Sequence, residues 1–354
     1  MKKVCIGNMT LDVPIIQGGM GVGISLGNLA GHVALNGGMG VISTAHPGYR
    51  VDDFEQDCVA VNRRELANEI KKAKAIADGK GVVAINAMVA LSDYAKLVEV
   101  AVENKIDAII SGAGLPLNLP SFVKGTNVKI APIVSSGKAA KLICKSWDRK
   151  FAVVPNFVVI EGSEAGGHLG FDKEDILNQK TPKLVDIFNE VKEVLKPYVE
   201  KYQKEIPVFV AGGIYDSKDI QAFLDLGVDG VQMATRFICT DECDVDIKYK
   251  QVFINASKED IELVKSPVGM PGRAIMTNLT KKLKNGERIP VKKCYNCLIP
   301  CEIKTTSYCI SGALINAAKG NIDEGLVFSG TNGYRMDKIV SVKELIDELV
   351  GGLK

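Results

Sequence analysis

Eight short runs of nearly unbroken apolar residues punctuate the first two thirds of this 354-residue chain. They cover residues 14–17, 39–43, 82–86, 108–111, 129–134, 157–160, 207–211 and 230–233. Continuous hydrophobicity, rather than strict alternation, is what strands buried on both faces require. Between the runs the pattern turns amphipathic, as in residues 62–78, 93–104, 183–199 and 217–226. The last of these carries Asp216 or Ser217 as an N-cap and Gly227 just past its end. Regular βα alternation implies parallel strands joined by crossover helices. Eight units in succession favour a closed (β/α)8 TIM barrel over a doubly wound open sheet, which usually has fewer strands. From about Asp244 the alternation is lost. The expected organisation is a barrel over 1–243 and a C-terminal subdomain over 244–354 packed on it, with a helix from Ser341 to Val350.

Composition narrows the function classes. With 46% hydrophobic and 24% charged residues the chain has ample material for a core. A net charge of +2, from 44 basic and 42 acidic residues, gives no field to attract nucleic acid. No apolar run reaches membrane-spanning length, and the N-terminus lacks an apolar signal segment. A cytoplasmic enzyme acting on a small molecule, with no membrane or nucleic-acid partner, is therefore expected; a homodimer is compatible with this composition.

Polar and small residues collect where the apolar runs end. The most distinctive group is Glu161-Gly-Ser-Glu-Ala-Gly-Gly-His168-Leu-Gly170, directly after the run at 157–160. Small residues let backbone approach a bulky ligand, and a histidine there can move a proton near neutral pH. Ala211-Gly-Gly-Ile214 and Gln232-Met-Ala-Thr-Arg-Phe237 follow the seventh run and span the eighth. In such barrels these two loops, with a helix N-terminus, form the usual phosphate site. His46 also ends a strand and is a candidate substrate contact. His32 lies inside the first helix and reads as a packed or surface residue. Arg273 reads equally as an anion contact or as part of a structural ion pair.

Several motifs together resemble the nitronate monooxygenase family, which includes flavin-dependent enoyl-acyl carrier protein reductases. They are Gln17-Gly-Gly-Met20, Gly37-Gly-Met-Gly40, Ser111-Gly-Ala-Gly114, Glu161 to Gly170, Ala211-Gly-Gly-Ile214 and Gly230-Val-Gln-Met-Ala-Thr-Arg-Phe237. Ala234 departs from the pattern, since relatives often have glycine there. The resemblance implies a barrel that binds FMN non-covalently. Gly19 and Met20 would line its ring system, with Gln17 and Asn86 as polar contacts. Gly166 and Gly167 would approach the ribityl-phosphate region, and Gly212, Gly213, Ala234 and Thr235 would hold the phosphate. His168 matches the family's active-site histidine. The implied activity is oxidation of alkyl nitronates; the alternative is NAD(P)H-dependent reduction of enoyl thioesters or quinones at the same flavin.

Nine cysteines, an odd number, argue against a disulfide framework. Four of them, Cys294, Cys297, Cys301 and Cys309, have the spacing C-x2-C-x3-C-x7-C. That spacing suits a tetrahedral thiolate site; a [4Fe–4S] cluster is the leading expectation, with zinc and unliganded thiols as the alternatives. Typical nitronate monooxygenases end without such a cluster, so their oxygen-dependent activity does not transfer automatically.

Overall fold

A computed structural model of the chain describes residues 3–354. A short antiparallel hairpin, β1 (Val4–Ile6) with β2 (Met9–Leu11), precedes the repeating part. The repeat then runs β3 (Ile15–Gln17), α1 (Gly27–Leu35), β4 (Met39–Ser43), α2 (Cys58–Ala77), β5 (Val82–Met88), α3 (Tyr94–Glu103) and β6 (Ala108–Gly112). It continues through α4 (Leu119–Phe122), β7 (Lys129–Val134), α5 (Gly137–Phe151), β8 (Val158–Glu161), β9 (Gly167–His168), α6 (Lys173–Leu177) and α7 (Leu184–Tyr202). Strand β10 (Val208–Ala211), α8 (Ser217–Asp225), β11 (Gly230–Met233) and α9 (Thr235–Ile238) complete it.

Strands β3 to β8, β10 and β11 close into a parallel barrel in which β11 pairs back to β3. The TIM-barrel expectation is met, and its eight strands lie within two residues of the eight apolar runs. The barrel interior is filled by Ile16, Met39, Val41, Ala84, Ile110, Val159, Phe209 and Ala211, among others. The hairpin adds Val4, Ile6 and Leu11 to the same cluster, so it plugs the end at which the strands begin. The helices pack close to the outside: a Cβ on Gly40 would stand 1.8 Å from the carbonyl oxygen of Ala30 in α1. Helix α8 has the capping box its sequence promises, with Asp216 accepting from the Lys218 and Asp219 N–H groups.

The tail holds more strand than its pattern suggests. After α10 (Ile247–Asn255) come β12 (Ile261–Lys265) and β13 (Pro271–Ile275), then α11 (Asn278–Lys284), α12 (Ile310–Ala318), β14 (Val327–Phe328) and α13 (Val342–Val350). Strand β13 pairs with β12, β14 and β9, so the segment carrying His168 is one edge of a small antiparallel sheet built mainly from the tail. Ile315, Val327, Val342 and Leu345 belong to the main hydrophobic cluster that also holds α1, α2 and α5.

Candidate active site

A cavity of about 410 Å³ opens at the ends of the barrel strands. That is a small-molecule size. Glycine recurs around its wall: Gly18 and Gly19 after β3, Gly112 at the end of β6 and Gly114 beyond it, Gly166 and Gly167 in and after the loop that follows β8, and Gly212 and Gly213 after β10. Gly167, Gly212 and Gly213 have φ of +74°, +107° and +77°, where a side chain would be strained. A Cβ on Gly213 would stand 2.0 Å from Glu164 Oε2, while one on Gly167 would project into open space. The mouth is therefore a cradle that small residues keep clear.

His168 stands on β9 at this mouth. Its Nε2 lies 2.7 Å from Ser266 Oγ, and its ring meets Phe328 edge to face at 5.1 Å. Nδ1 makes no protein hydrogen bond among the described residues. Burial pushes the ring down to about 4, so it is uncharged at neutral pH. The loop that delivers it is fixed from behind: Arg273 on β13 donates to the carbonyls of Ser163 and Ala165 at 2.7 and 2.6 Å. The tail loop after β14 closes the other side, where Gly330 N–H donates to Thr235 Oγ1 at 3.1 Å and Asn332 Nδ2 donates to the Gly213 carbonyl at 2.6 Å. Thr235 keeps its own hydroxyl hydrogen for a ligand.

One atom on each of two polar residues of the wall lacks a protein partner. Gln232 Oε1 and Arg236 Nε are buried without a hydrogen bond. Arg236 also packs 4.4 Å over the Tyr215 ring and pairs with Glu348 at 2.7 Å.

This arrangement has counterparts among known proteins. The family model for nitronate monooxygenase matches residues 2–352. The chain belongs to the nitronate monooxygenase family of oxidoreductases. Over 77% of its length it is 25% identical to a Rhodococcus jostii protein described as (3aS,4S,5R,7aS)-5-hydroxy-7a-methyl-1-oxo-octahydro-1H-indene-4-carboxyl-CoA dehydrogenase; the match spans 65% of that relative. It is 24% identical to a probable nitronate monooxygenase of Staphylococcus aureus, over 79% of each. Among solved structures it superposes on FabK from Thermotoga maritima with a TM-score of 0.73 and 25% identity, covering 96% of this chain and 92% of that one. A nitroalkane oxidase from Streptomyces ansochromogenes has the same fold, with a TM-score of 0.71, 18% identity, and 97% and 96% coverage.

Within this family member, the sequence-expected residues Gly19, Met20, Asn86, Gly166, Gly167, His168, Gly212, Gly213, Ala234 and Thr235 all line the one cavity. Gln17 does not. It is fully buried; its Oε1 accepts from the Val41 N–H at 3.1 Å, tying β3 to β4, and its Nε2 donates to the adjacent Gly18 carbonyl, so both ends are spent within the protein. Arg273 Nη1 donates to backbone carbonyls of the His168 loop. His46 does not line the cavity. His32 is a packed helix residue, with Nδ1 2.9 Å from the Asn28 carbonyl.

The sequence reading missed Ser266, Phe328, Asn332 and Gln232. Three lie in the tail, where short strands and loops leave no period to read; Gln232 stood inside the quoted motif and was passed over for its neighbours.

The metal expectation at Cys294, Cys297, Cys301 and Cys309 gains no support. Among the described residues no group of three or more His, Cys, Asp or Glu side chains is placed to hold a metal ion. Two of the four thiols accept a local N–H group. Cys309 caps α12 by accepting from Gly312 N–H at 3.4 Å, Cys294 accepts from Asn296 N–H at 3.3 Å, and burial pushes the Cys297 thiol up to about 11.

Among the described residues no helix is long and apolar enough to cross a membrane.

Proposed function

We propose that this protein is an FMN-dependent oxidoreductase that oxidises alkyl nitronates. The observation that carries the reading is the cavity itself: a glycine-rich cradle at the barrel mouth, with Gln232, whose buried Oε1 has no protein partner, in its wall and an uncommitted histidine nitrogen beside it. These features fit a flat polar ring with a phosphate tail. The positive-φ glycines admit the ring and tail closely, and Thr235, Gly213 and Ala234 stand where the phosphate would be held. When bound, the flavin supplies the electron-transfer chemistry.

The chain's own residues orient and protonate. Arg273 fixes the Ser163–Ala165 backbone, which sets the position of His168. Neutral His168 has Nδ1 free to accept or donate a hydrogen bond, so it can hold an anionic nitronate or take a proton from a bound substrate. Phe328, Met270 and Leu314 make its side of the cavity apolar and keep water low around it.

A second reading is NAD(P)H-dependent reduction of enoyl thioesters or quinones at the same site. The likeness to FabK over nearly the whole chain, and to a dehydrogenase named for a CoA thioester, supports it. One experiment separates them. The FMN-loaded protein is mixed with NADH or NADPH without oxygen, and separately with a nitronate in air. Rapid bleaching by either nucleotide favours the reductase; nitronate turnover with slow bleaching favours the first reading. Failure of both removes the function proposed here.

A further inference from the structure

We propose that Glu161 is the proton-donating residue of this cavity, giving a proton from its carboxyl group to a basic atom of the ring seated on the barrel floor. The proposal rests on the flavin reading above. Glu161 is the last residue of β8 and pairs across the ladder with Ala211 of β10; Ala211 pairs in turn with Gln232 of β11. Paired residues of parallel strands point to one face, and Ala211 belongs to the inner barrel cluster. Glu161 and Gln232 therefore both project into the barrel, with a single methyl group between them, and both line the cavity.

Neither is satisfied by the protein. Gln232 is 9% exposed and its Oε1 has no partner. Among the described residues the Glu161 side chain, half-buried at the cavity wall, has no hydrogen bond and no ion pair. Buried polar groups are nearly always paired, so the unpartnered Gln232 Oε1 on the same inner face calls for a ligand beside Glu161.

The other titratable groups around the cavity are occupied elsewhere. His168 is held by Ser266, Arg236 by Glu348, and the Tyr215 hydroxyl donates to the Arg335 carbonyl at 2.6 Å. Glu164 is turned toward Gly213, and its charge acts on Arg273. None of them sets the charge of Glu161. Burial alone does, lifting its carboxyl to about 7, whereas burial pushes His168 down to about 4. Two groups whose surroundings push them in opposite directions divide acid and base work. At neutral pH Glu161 is the one with a proton to release. In the transfer, which follows reduction of the ring by the substrate (a nitronate or a nicotinamide hydride donor), the Glu161 O–H bond breaks, the hydrogen bonds to a lone pair of a ring atom made basic by that reduction, and the remaining carboxylate is reprotonated from water. The substrate supplies the electrons, and none change hands in the proton transfer itself.

The test titrates protein loaded with FMN from pH 5.5 to 8.5 and follows the visible flavin band. A one-proton transition near pH 7 is expected in the wild-type chain and in His168→Asn, and none in Glu161→Gln. Glu161→Asp, which keeps a carboxyl, should shift the midpoint rather than abolish it, and serves if Glu161→Gln fails to fold. A transition that survives in Glu161→Gln, or that is absent from the wild type, overturns the proposal. If the chain takes up no FMN, the functional reading falls separately. The same residue is then followed by infrared titration of the ligand-free chain: a protonated-carboxyl signal lost near pH 7 and missing from Glu161→Gln upholds the buried acid, and no such signal overturns it.

Discussion

Two histidines follow strands on opposite sides of the same barrel, and only one is free to act. His46, after β4, is buried and His168, on β9, is half-buried, and desolvation pushes both down to about 4. Each has Nε2 2.7 Å from a serine hydroxyl, Ser311 for His46 and Ser266 for His168. The difference lies at the other nitrogen. His46 Nδ1 accepts from Asn62 Nδ2 at 3.0 Å, while Asn62 Oδ1 takes the Gly48 N–H at 3.2 Å. Its ring is also packed edge-on against Phe54 and Tyr295. Every polar atom of His46 is spent on tying the barrel to α2 and α12. His168 Nδ1 has no protein partner and faces a cavity. Burial and a depressed proton affinity are therefore shared by a structural and a chemical histidine; the uncommitted nitrogen separates them.

The comparison is broken most sharply by removing each ring. His168→Ala should lower kcat/KM on the FMN-loaded enzyme by on the order of 10²–10⁴ with little change in Tm, the usual contribution of a positioned proton-transfer group. His46→Ala should leave turnover per folded molecule near wild type but destabilise the protein by about 2–4 kcal/mol, because Asn62 and Ser311 lose partners in a buried site. Thermal melts beside steady-state kinetics check both, and an equal loss of turnover in the two variants would dissolve the distinction.

The pH dependence sharpens it next. An unfolded histidine protonates near 6.5 and folded His46 near 4, so between those values the unfolded chain binds more protons. Stability is complete above pH 6.5 and is lost as pH falls toward 4, by about 3 kcal/mol for this one ring. His168 contributes a slope of similar size over the same window, so denaturant melts from pH 4 to 7 should show both, and His46→Ala should remove about half of the histidine contribution. A smaller effect is expected from Arg273→Met, which frees the Ser163 and Ala165 carbonyls and lets the His168 loop drift. About a tenfold loss in kcat/KM is expected, partly restored in Arg273→Lys, since misplacement of about 1 Å costs up to about a hundredfold.

Most of the barrel was legible because parallel strands buried on both faces must be continuously apolar, and all eight runs became its strands. The glycine loops were legible too, because a chain that must approach a ligand closely leaves few residue choices. What escaped was long-range pairing. His46 ends a strand beside Pro47 and Gly48 just as a site residue would, and only the fold shows Asn62 and Ser311 arriving from 16 and 265 residues away. Gln17 fails for a related reason: its place in a glycine motif says nothing of its amide being used inside the sheet. The tail hid the half-buried β12 and the largely buried β13, neither of which alternates, and with them Ser266 and the backbone contacts of Arg273. The cysteine spacing suggested metal because close thiols in a turn-rich segment suit one; in the fold, local N–H groups and burial engage them instead.

Titration of the purified chain with FMN, read by quenching of flavin fluorescence, tests the central claim most directly. The account predicts one FMN per chain, released on denaturation. It also predicts loss of binding in Gly213→Val, whose added Cβ would stand 2.0 Å from Glu164 Oε2 at a φ of +77°. A folded wild-type chain that binds no FMN, or a Gly213→Val variant that binds it as well as the wild type, would contradict it.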